Sequence, residues 1–236
     1  MRKIFMVLVF VLGMVLGIGI NTYAVDIKVY TEQWSGAEYD FHQKYFSSGT
    51  FVESNGSYDL ASNFFGFELV ARRFYFCAEN SLGGEVKYSN VDQDLDINDF
   101  KFGCRVVRND VCTLDIFSGF LMVDGVRSYD GGDDYVDTDD WFSSLTLGGN
   151  LNLYLGDRVR LQGCLEVPLA GYVYAYNMKA CVLLTPNFGL TAGYRGYKIN
   201  DEEDVYYSDG YGNSNHYKNS STSKLRGLTM GIELDF

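Results

Sequence analysis

The sequence predicts an all-β chain, a transmembrane antiparallel up-and-down β-barrel of ten strands, with eight as the alternative count. Three observations carry that expectation. Apolar and polar residues alternate with period two in one segment after another, as on a strand with one greasy and one polar face. The composition, with 26 Gly, 2 Pro, 19 Tyr and 17 Phe, suits twisted sheet bordered by aromatic belts. The one long apolar run, residues 4–20, stands at the extreme N-terminus, so any crossing of a membrane further on must use strands.

That run follows Arg2 and Lys3 and leads into Asn21-Thr22-Tyr23-Ala24, the form of a secretory signal peptide cut after Ala24. An uncleaved anchor is the alternative, since the run just reaches spanning length. The expected organisation is residues 1–24 as signal peptide and 25–236 as one barrel domain. Cleavage takes the net charge from −12 to −14. A surface that acidic excludes nucleic acid as a partner. No cofactor motif is present. The five cysteines lack metal-ligand spacing and no histidine lies near them, so they read as small apolar residues.

The first strand region, about 26–41, alternates Ile27 and Val29 against Lys28 and Tyr30, with a bulge expected at Ser35-Gly36. A polar connection over 42–60 follows. The second strand, near 61–71, sets Phe65, Phe67, Leu69 and Ala71 against Gly66 and Glu68, and Arg72-Arg73 turns the chain. The third, 74–88, sets Phe74, Phe76, Ala78, Leu82 and Val86 against Cys77, Glu79, Ser81 and Glu85. The fourth sets Phe100, Phe102, Cys104 and Val106 against Lys101 and Arg105. After a turn at 109–111 the fifth sets Leu114, Ile116, Phe120 and Met122 against Asp115 and Phe117. A three-residue turn brings those two apolar faces into line, whereas a one-residue slip would reverse them.

The sixth strand carries Leu145, Leu147, Leu151 and Leu153, and the seventh Val159, Leu161, Leu165, Val167 and Leu169 against Arg158, Arg160, Cys164 and Glu166. A tyrosine-rich connection, 171–176, precedes the eighth, with Met178, Ala180 and Val182 against Lys179 and Cys181. The ninth sets Leu190, Ala192 and Tyr194 against Thr191 and Arg195, and a polar loop over 200–223 leads to the last. That strand alternates without a fault: Leu228, Met230, Ile232, Leu234 and Phe236 against Gly227, Thr229, Gly231, Glu233 and Asp235. Ten strands give four short turns on one side and longer connections on the other, with both termini on the short-turn side.

Periodicity does not say which face meets lipid; a soluble sandwich or lipocalin-like barrel alternates too. Three features favour an apolar exterior. The polar face mixes small residues with charges of both signs, the apolar face ends in Phe and Tyr on many strands, and the terminal strand ends on an aromatic. A lumen is then expected to hold Glu68, Glu79, Glu85, Asp115, Glu166 and Glu233 against Arg72, Lys101, Arg105, Arg158, Arg160, Lys179 and Arg195. In a narrow barrel such charges fill the bore as ion pairs rather than forming an ion path.

Other candidates are thinner. Asp92, Asp94, Asp96 and Asp99 approach a calcium-loop spacing but lack its glycine and closing glutamate. Asp133, Asp134, Asp137 and Asp139 are weak candidates for a divalent ion in an acidic loop, where solvated loop tips are the ordinary reading. Cys164 and Cys181, facing the lumen on neighbouring strands, are candidates for a disulfide. His42, after Asp40, and His216, after Asp209, are the two histidines from which a rim hydrolase could be built.

The last eight residues, Thr229 through Phe236, read polar, x, Gly, x, x, apolar, x, aromatic. This resembles the C-terminal β-signal of bacterial outer-membrane barrels, with Gly231, Leu234 and Phe236 as its assembly residues. In strand pattern the whole mature chain resembles the opacity-type and related small barrels. The resemblance implies location in the outer membrane, outer-membrane lipid as surroundings and the barrel-assembly machinery as a partner. It also implies a non-enzymatic surface, adhesion or envelope role through acidic, Tyr-rich loops, with an unidentified extracellular ligand. A narrow channel, and a rim hydrolase of omptin or lipid-deacylase type, are the alternatives.

Overall fold

The computed structural model describes residues 25–47, 50–87, 92–124, 141–208 and 214–236. Residues 1–24, expected to be a signal peptide, and the aspartates at 133, 134, 137 and 139 lie outside the described residues. Ten strands run in order: β1 (Val25–Ser47), β2 (Thr50–Ala71), β3 (Phe74–Lys87), β4 (Asp92–Arg108), β5 (Cys112–Asp124), β6 (Trp141–Leu155), β7 (Val159–Gly171), β8 (Val173–Thr185), β9 (Phe188–Ser208) and β10 (Ser214–Asp235). Each pairs antiparallel with its sequence neighbours, and β10 pairs with β1 from Lys28↔Asp235 to Lys44↔Ser220, so the sheet is a closed barrel without an edge. The ends are tied by a reciprocal pair of bonds, Phe236 N–H to Ile27 O at 2.8 Å and Ile27 N–H to Phe236 O at 3.1 Å.

Three of the four short turns show their local causes. Arg72 takes a left-handed φ of 56° and Gly156 one of 73°. Asn109 Oδ1 accepts from Val111 N–H at 2.9 Å and Cys112 N–H at 2.8 Å, a side-chain turn that fixes the three-residue connection. The fourth and fifth strands accordingly meet with Arg105 opposite Asp115.

Three connections differ from expectation. Residues 42–60 and 200–223 belong largely to strand, because β1, β2, β9 and β10 run 21 to 23 residues. Crossing a hydrocarbon core takes only ~9–11 tilted residues, so these four adjacent strands rise as a wall above the rest. The β7–β8 connection shrinks to Tyr172, with Gly171 at φ 97° beside it. The Val173 N–H donates to Ser144 Oγ at 2.6 Å and anchors the start of β8.

The wall reverses its polarity along its height. In the inner half the outward face carries Ile116, Phe120, Leu147, Leu151, Leu165, Val167, Leu190, Met230 and Ile232, all exposed, while charged groups are buried inside. In the outer half, leucine, isoleucine, valine and aromatic side chains fill the interior. Tyr39, Phe64, Val86, Leu95, Ile97, Leu121, Val173, Ile199 and Leu225 are all buried there in one cluster. Outside them stand Glu38, Glu85, Asp94, Asp96, Lys198 and Lys224. The lower part is a barrel for lipid and the upper part a barrel for water.

Two bulges help the strands serve both regimes. In β1 the register shifts between Ser35 and Glu38 with Gly36 at φ 58°, so the inward set changes from Lys28, Tyr30, Glu32 and Trp34 to Ala37, Tyr39, Phe41 and Gln43. In β3 it shifts between Asn80 and Gly84, with Gly83 at φ 64°. That second bulge corrects one expectation: Glu85 faces outward and is exposed, and Val86 is the one buried inside.

Candidate functional site

The lumen of the membrane-spanning half is a lattice of ion pairs. Arg195, on β9, is its centre. Its guanidinium meets both Glu79 oxygens, at 2.6 and 2.7 Å, and Glu32 at 3.2 Å. Tyr30 O–H donates to the same Glu79 carboxylate at 2.8 Å, and Lys179 reaches Glu32 at 2.7 Å while its ammonium lies 4.3 Å from the Tyr30 ring centre. Arg195 also stacks 4.4 Å from the Phe64 ring, joining this lattice to the apolar cluster above it. These groups come from β1, β3, β8 and β9, so the pairs reach across the bore as well as along neighbouring strands.

A second knot has Lys101 on β4 bound to Asp99 at 2.7 Å and to Glu166 of β7 at 2.8 Å, with Thr146 O–H donating to Glu166 at 3.1 Å. Nearer the inner end, Arg105 grips Asp115 at 2.8 and 3.1 Å, Lys28 meets Glu68 at 3.4 Å, and Arg160 pairs with Glu233 and, at 3.5 Å, with Asp235. Among the described residues six cations and seven carboxylates are buried, so the interior charge nearly cancels. Such near-cancellation is what burial of charge requires.

The space left is small. At mid-height a cavity of about 30 Å³ is lined by Tyr30, Asp99, Lys101, Asn150, Cys164 and Arg195 among others. A wider recess of about 350 Å³ opens at the inner end beside Lys28, Arg105, Arg160 and Asp235. Above the lattice the apolar cluster closes the bore: Trp34 makes edge contacts with Phe64 and Tyr197 at 5.2 and 5.9 Å, and Tyr39, Phe41 and Tyr58 stack at about 6 Å.

Glu68, Glu79, Lys101, Arg105, Asp115, Glu166, Lys179, Arg195, Glu233 and Arg160 thus lie inside together. Arg72 and Arg158 do not; both are exposed in inner turns, where the strand pattern had already ended. The lattice includes three residues the sequence reading left out. Lys28 and Glu32 alternate in step with Tyr30, and Asp99 lies two positions before Lys101 on the same face; strand phase was the available signal. Asp94 and Asp96 sit outward on a strand, so they do not form a calcium loop. No group of three or more metal-ligating side chains occurs among the described residues.

The candidate cysteine bond is not formed. Cys164 and Cys181 are free, because the register sets Cys164 opposite Asn177 and Cys181 opposite Arg160. The Cys181 thiol instead donates to Glu233 at 3.6 Å. His42 is exposed on the outward face of β1, and the side chain of His216 lies outside the described residues. On the last strand, Leu234 and Phe236 face outward, and the Cα of Gly231 lies so near β1 that a Cβ would come 2.0 Å from Thr31 O.

No protein-family model matches the chain, and no curated protein matches it in sequence. Among solved structures it is similar to the outer-membrane protease OmpT of Escherichia coli, with a TM-score of 0.59 and 12% identity over 92% of this chain and 99% of that one. It also aligns with Neisserial surface protein A, at TM-score 0.32 and 14% identity over 92% of this chain and 100% of that one. A third is the translocator domain of the autotransporter NalP from Neisseria meningitidis, at TM-score 0.35 and 11% identity over 95% and 92%. A closed ten-stranded up-and-down sheet, an apolar outer band and a charged interior give this chain the fold of a small membrane-spanning β-barrel of the outer-membrane type.

Proposed function

We propose that this chain is a non-conducting, non-enzymatic surface barrel that acts through its extracellular wall and loops. The filled lumen carries that reading. At mid-height the bore narrows to about 30 Å³, far below the roughly 300 Å³ at which ligand pockets begin, and the wider recess of about 350 Å³ lies on the inner side of that constriction. An ion crossing the bore would have to break pairs buried on both sides and then cross the apolar cluster over them. What remains for interaction is the part above the membrane, where β1, β2, β9 and β10 extend and where the acidic and tyrosine-rich connections begin. Insertion through the barrel-assembly machinery, guided by Gly231, Leu234 and Phe236, belongs to the same reading.

Planar-bilayer recording of the refolded protein tests it. The expected result is no steady single-channel current in molar salt. A stable ohmic conductance would instead assign the chain a narrow channel. Replacing Arg195 and Lys179 with alanine would then change its ion selectivity.

A further inference from the structure

On the outward face the boundary between lipid and water is lined mostly by acids: Asp59 on β2, Glu85 on β3, Asp94 and Asp96 on β4 and Asp124 on β5 are all exposed. One sector is different. Lys198 of β9 and Lys224 of β10 are directly opposed in register, both exposed, and Arg226 lies two residues from Lys224 toward the membrane. Directly opposed side chains lie ~4.5–5.5 Å apart at Cβ, and like charges so placed destabilise a sheet. In a chain of net charge −12, two opposed lysines need a reason.

The neighbouring carboxylates do not supply one. Asp40 is opposite Lys224 across β1, but it is engaged by Arg226 at 2.7 Å, with Glu38 beyond at 3.9 Å. Neither Lys198 nor Lys224 has a carboxylate partner among the described residues.

The patch has a fixed height. Tyr174 is opposite Lys198 in the same row, and Tyr176 lies over Gly196 in the next, where a Cβ would collide with its hydroxyl. The row beneath is Met178, Tyr194 and Leu228, all exposed and apolar or aromatic, and Tyr176 stacks on Tyr194 at 6.2 Å. The cations therefore stand one step above an aromatic belt, at the depth of lipid headgroups.

We propose that Lys198, Lys224 and Arg226 bind the phosphate of a phosphorylated lipid in the outer leaflet. The acyl chains lie along Met178, Leu228 and Met230, and the tyrosines border the headgroup. One phosphate between the two lysines relieves their repulsion, and Arg226, held by Asp40, presents its remaining donors. The inference does not depend on whether the lumen conducts.

The test uses the folded full-length barrel in octyl glucoside, titrated with phosphatidic acid and followed by native mass spectrometry. The controls are diacylglycerol, which has the chains without the phosphate, and inorganic phosphate. The expected result is retained phosphatidic acid, no retained diacylglycerol, and about tenfold weaker retention by K198A/K224A, taking about 1 kcal/mol per lysine as an upper guide. Heat-modifiable migration establishes that the double variant is folded. K198Q/K224Q, which keeps the side-chain bulk, is expected to behave in the same way. Equal retention by the double variants, or equal retention of diacylglycerol, would overturn the proposal. Displacement of the lipid by millimolar inorganic phosphate would overturn the lipid as the source. A further signature is a reversal of sign: K198A leaves stability unchanged or higher in neutral detergent alone and lowers it when phosphatidic acid is present.

Discussion

Arg195 shows how the lumen holds together. Its side chain is 4% exposed and satisfies two carboxylates from β1 and β3 at once. Removing one member of a buried pair leaves the other charge without a partner, which costs about 3–5 kcal/mol. Arg195→Met is therefore expected to lower the unfolding free energy of the barrel, read from urea titration in detergent, by that amount. Adding Glu79→Gln to it should recover a large part, because the carboxylate left without Arg195 is then neutral, while Glu32 keeps its partner Lys179. If the single and double variants unfold alike, the lattice is not a coupled unit. Cys181 offers a smaller residue-scale test. It lies opposite Arg160, not Cys164, so intact mass after alkylation should show all five thiols modified in the unfolded, unreduced protein.

Among the elements, β3 has the most to teach. Its lower residues follow the alternation in the sequence, and Cys77 and Glu79 are buried where the phase puts them. Above Gly83 the faces exchange. A period-two pattern carries no information about where a strand gains a residue, unless a glycine in the left-handed region marks the place. Ser35-Gly36 gives that mark on β1; Gly83-Gly84 gives the same mark on β3, but Leu82 and Val86, in step with Phe76 and Ala78, conceal it. Cysteine accessibility decides the point. In a background with the native cysteines replaced by alanine, E85C on whole cells is expected to react with a membrane-impermeant maleimide and V86C to be inert. The reverse would restore the unbroken phase. Gly83→Val should also destabilise by about 1–2 kcal/mol, since a β-branched side chain is forced into the left-handed region.

Over the whole molecule, the strand number, the closure and the side of the short turns were all legible, because each rests on local alternation and local turn chemistry. The height of the wall was not. Residues 42–60 and 200–223 are rich in polar residues, so they read as loops although β1, β2, β9 and β10 extend into them. The apolar cluster in the outer lumen is hidden in the sequence for a related reason. Leu95 and Ile97 share the phase of Lys101, and Leu121 and Val123 share that of Asp115. One strand face is thus charged at one end and apolar at the other, and an average over the strand hides the change. Lipid explains it: where hydrocarbon surrounds the wall the interior takes the charges, and where water surrounds it the interior takes the leucines.

That reversal is the centre of the account, and β10 exposes it residue by residue. Nitroxide labels placed singly at Ile232, Met230, Leu228, Arg226, Lys224 and Thr222 report collision rates with oxygen, which concentrates in lipid, and with a soluble nickel chelate. The account predicts oxygen-dominated collisions through Leu228 and nickel-dominated collisions from Lys224 outward, with the crossover at Arg226. Nickel-dominated collisions at Ile232 and Met230 would mean that the apolar face meets water, and would contradict the account.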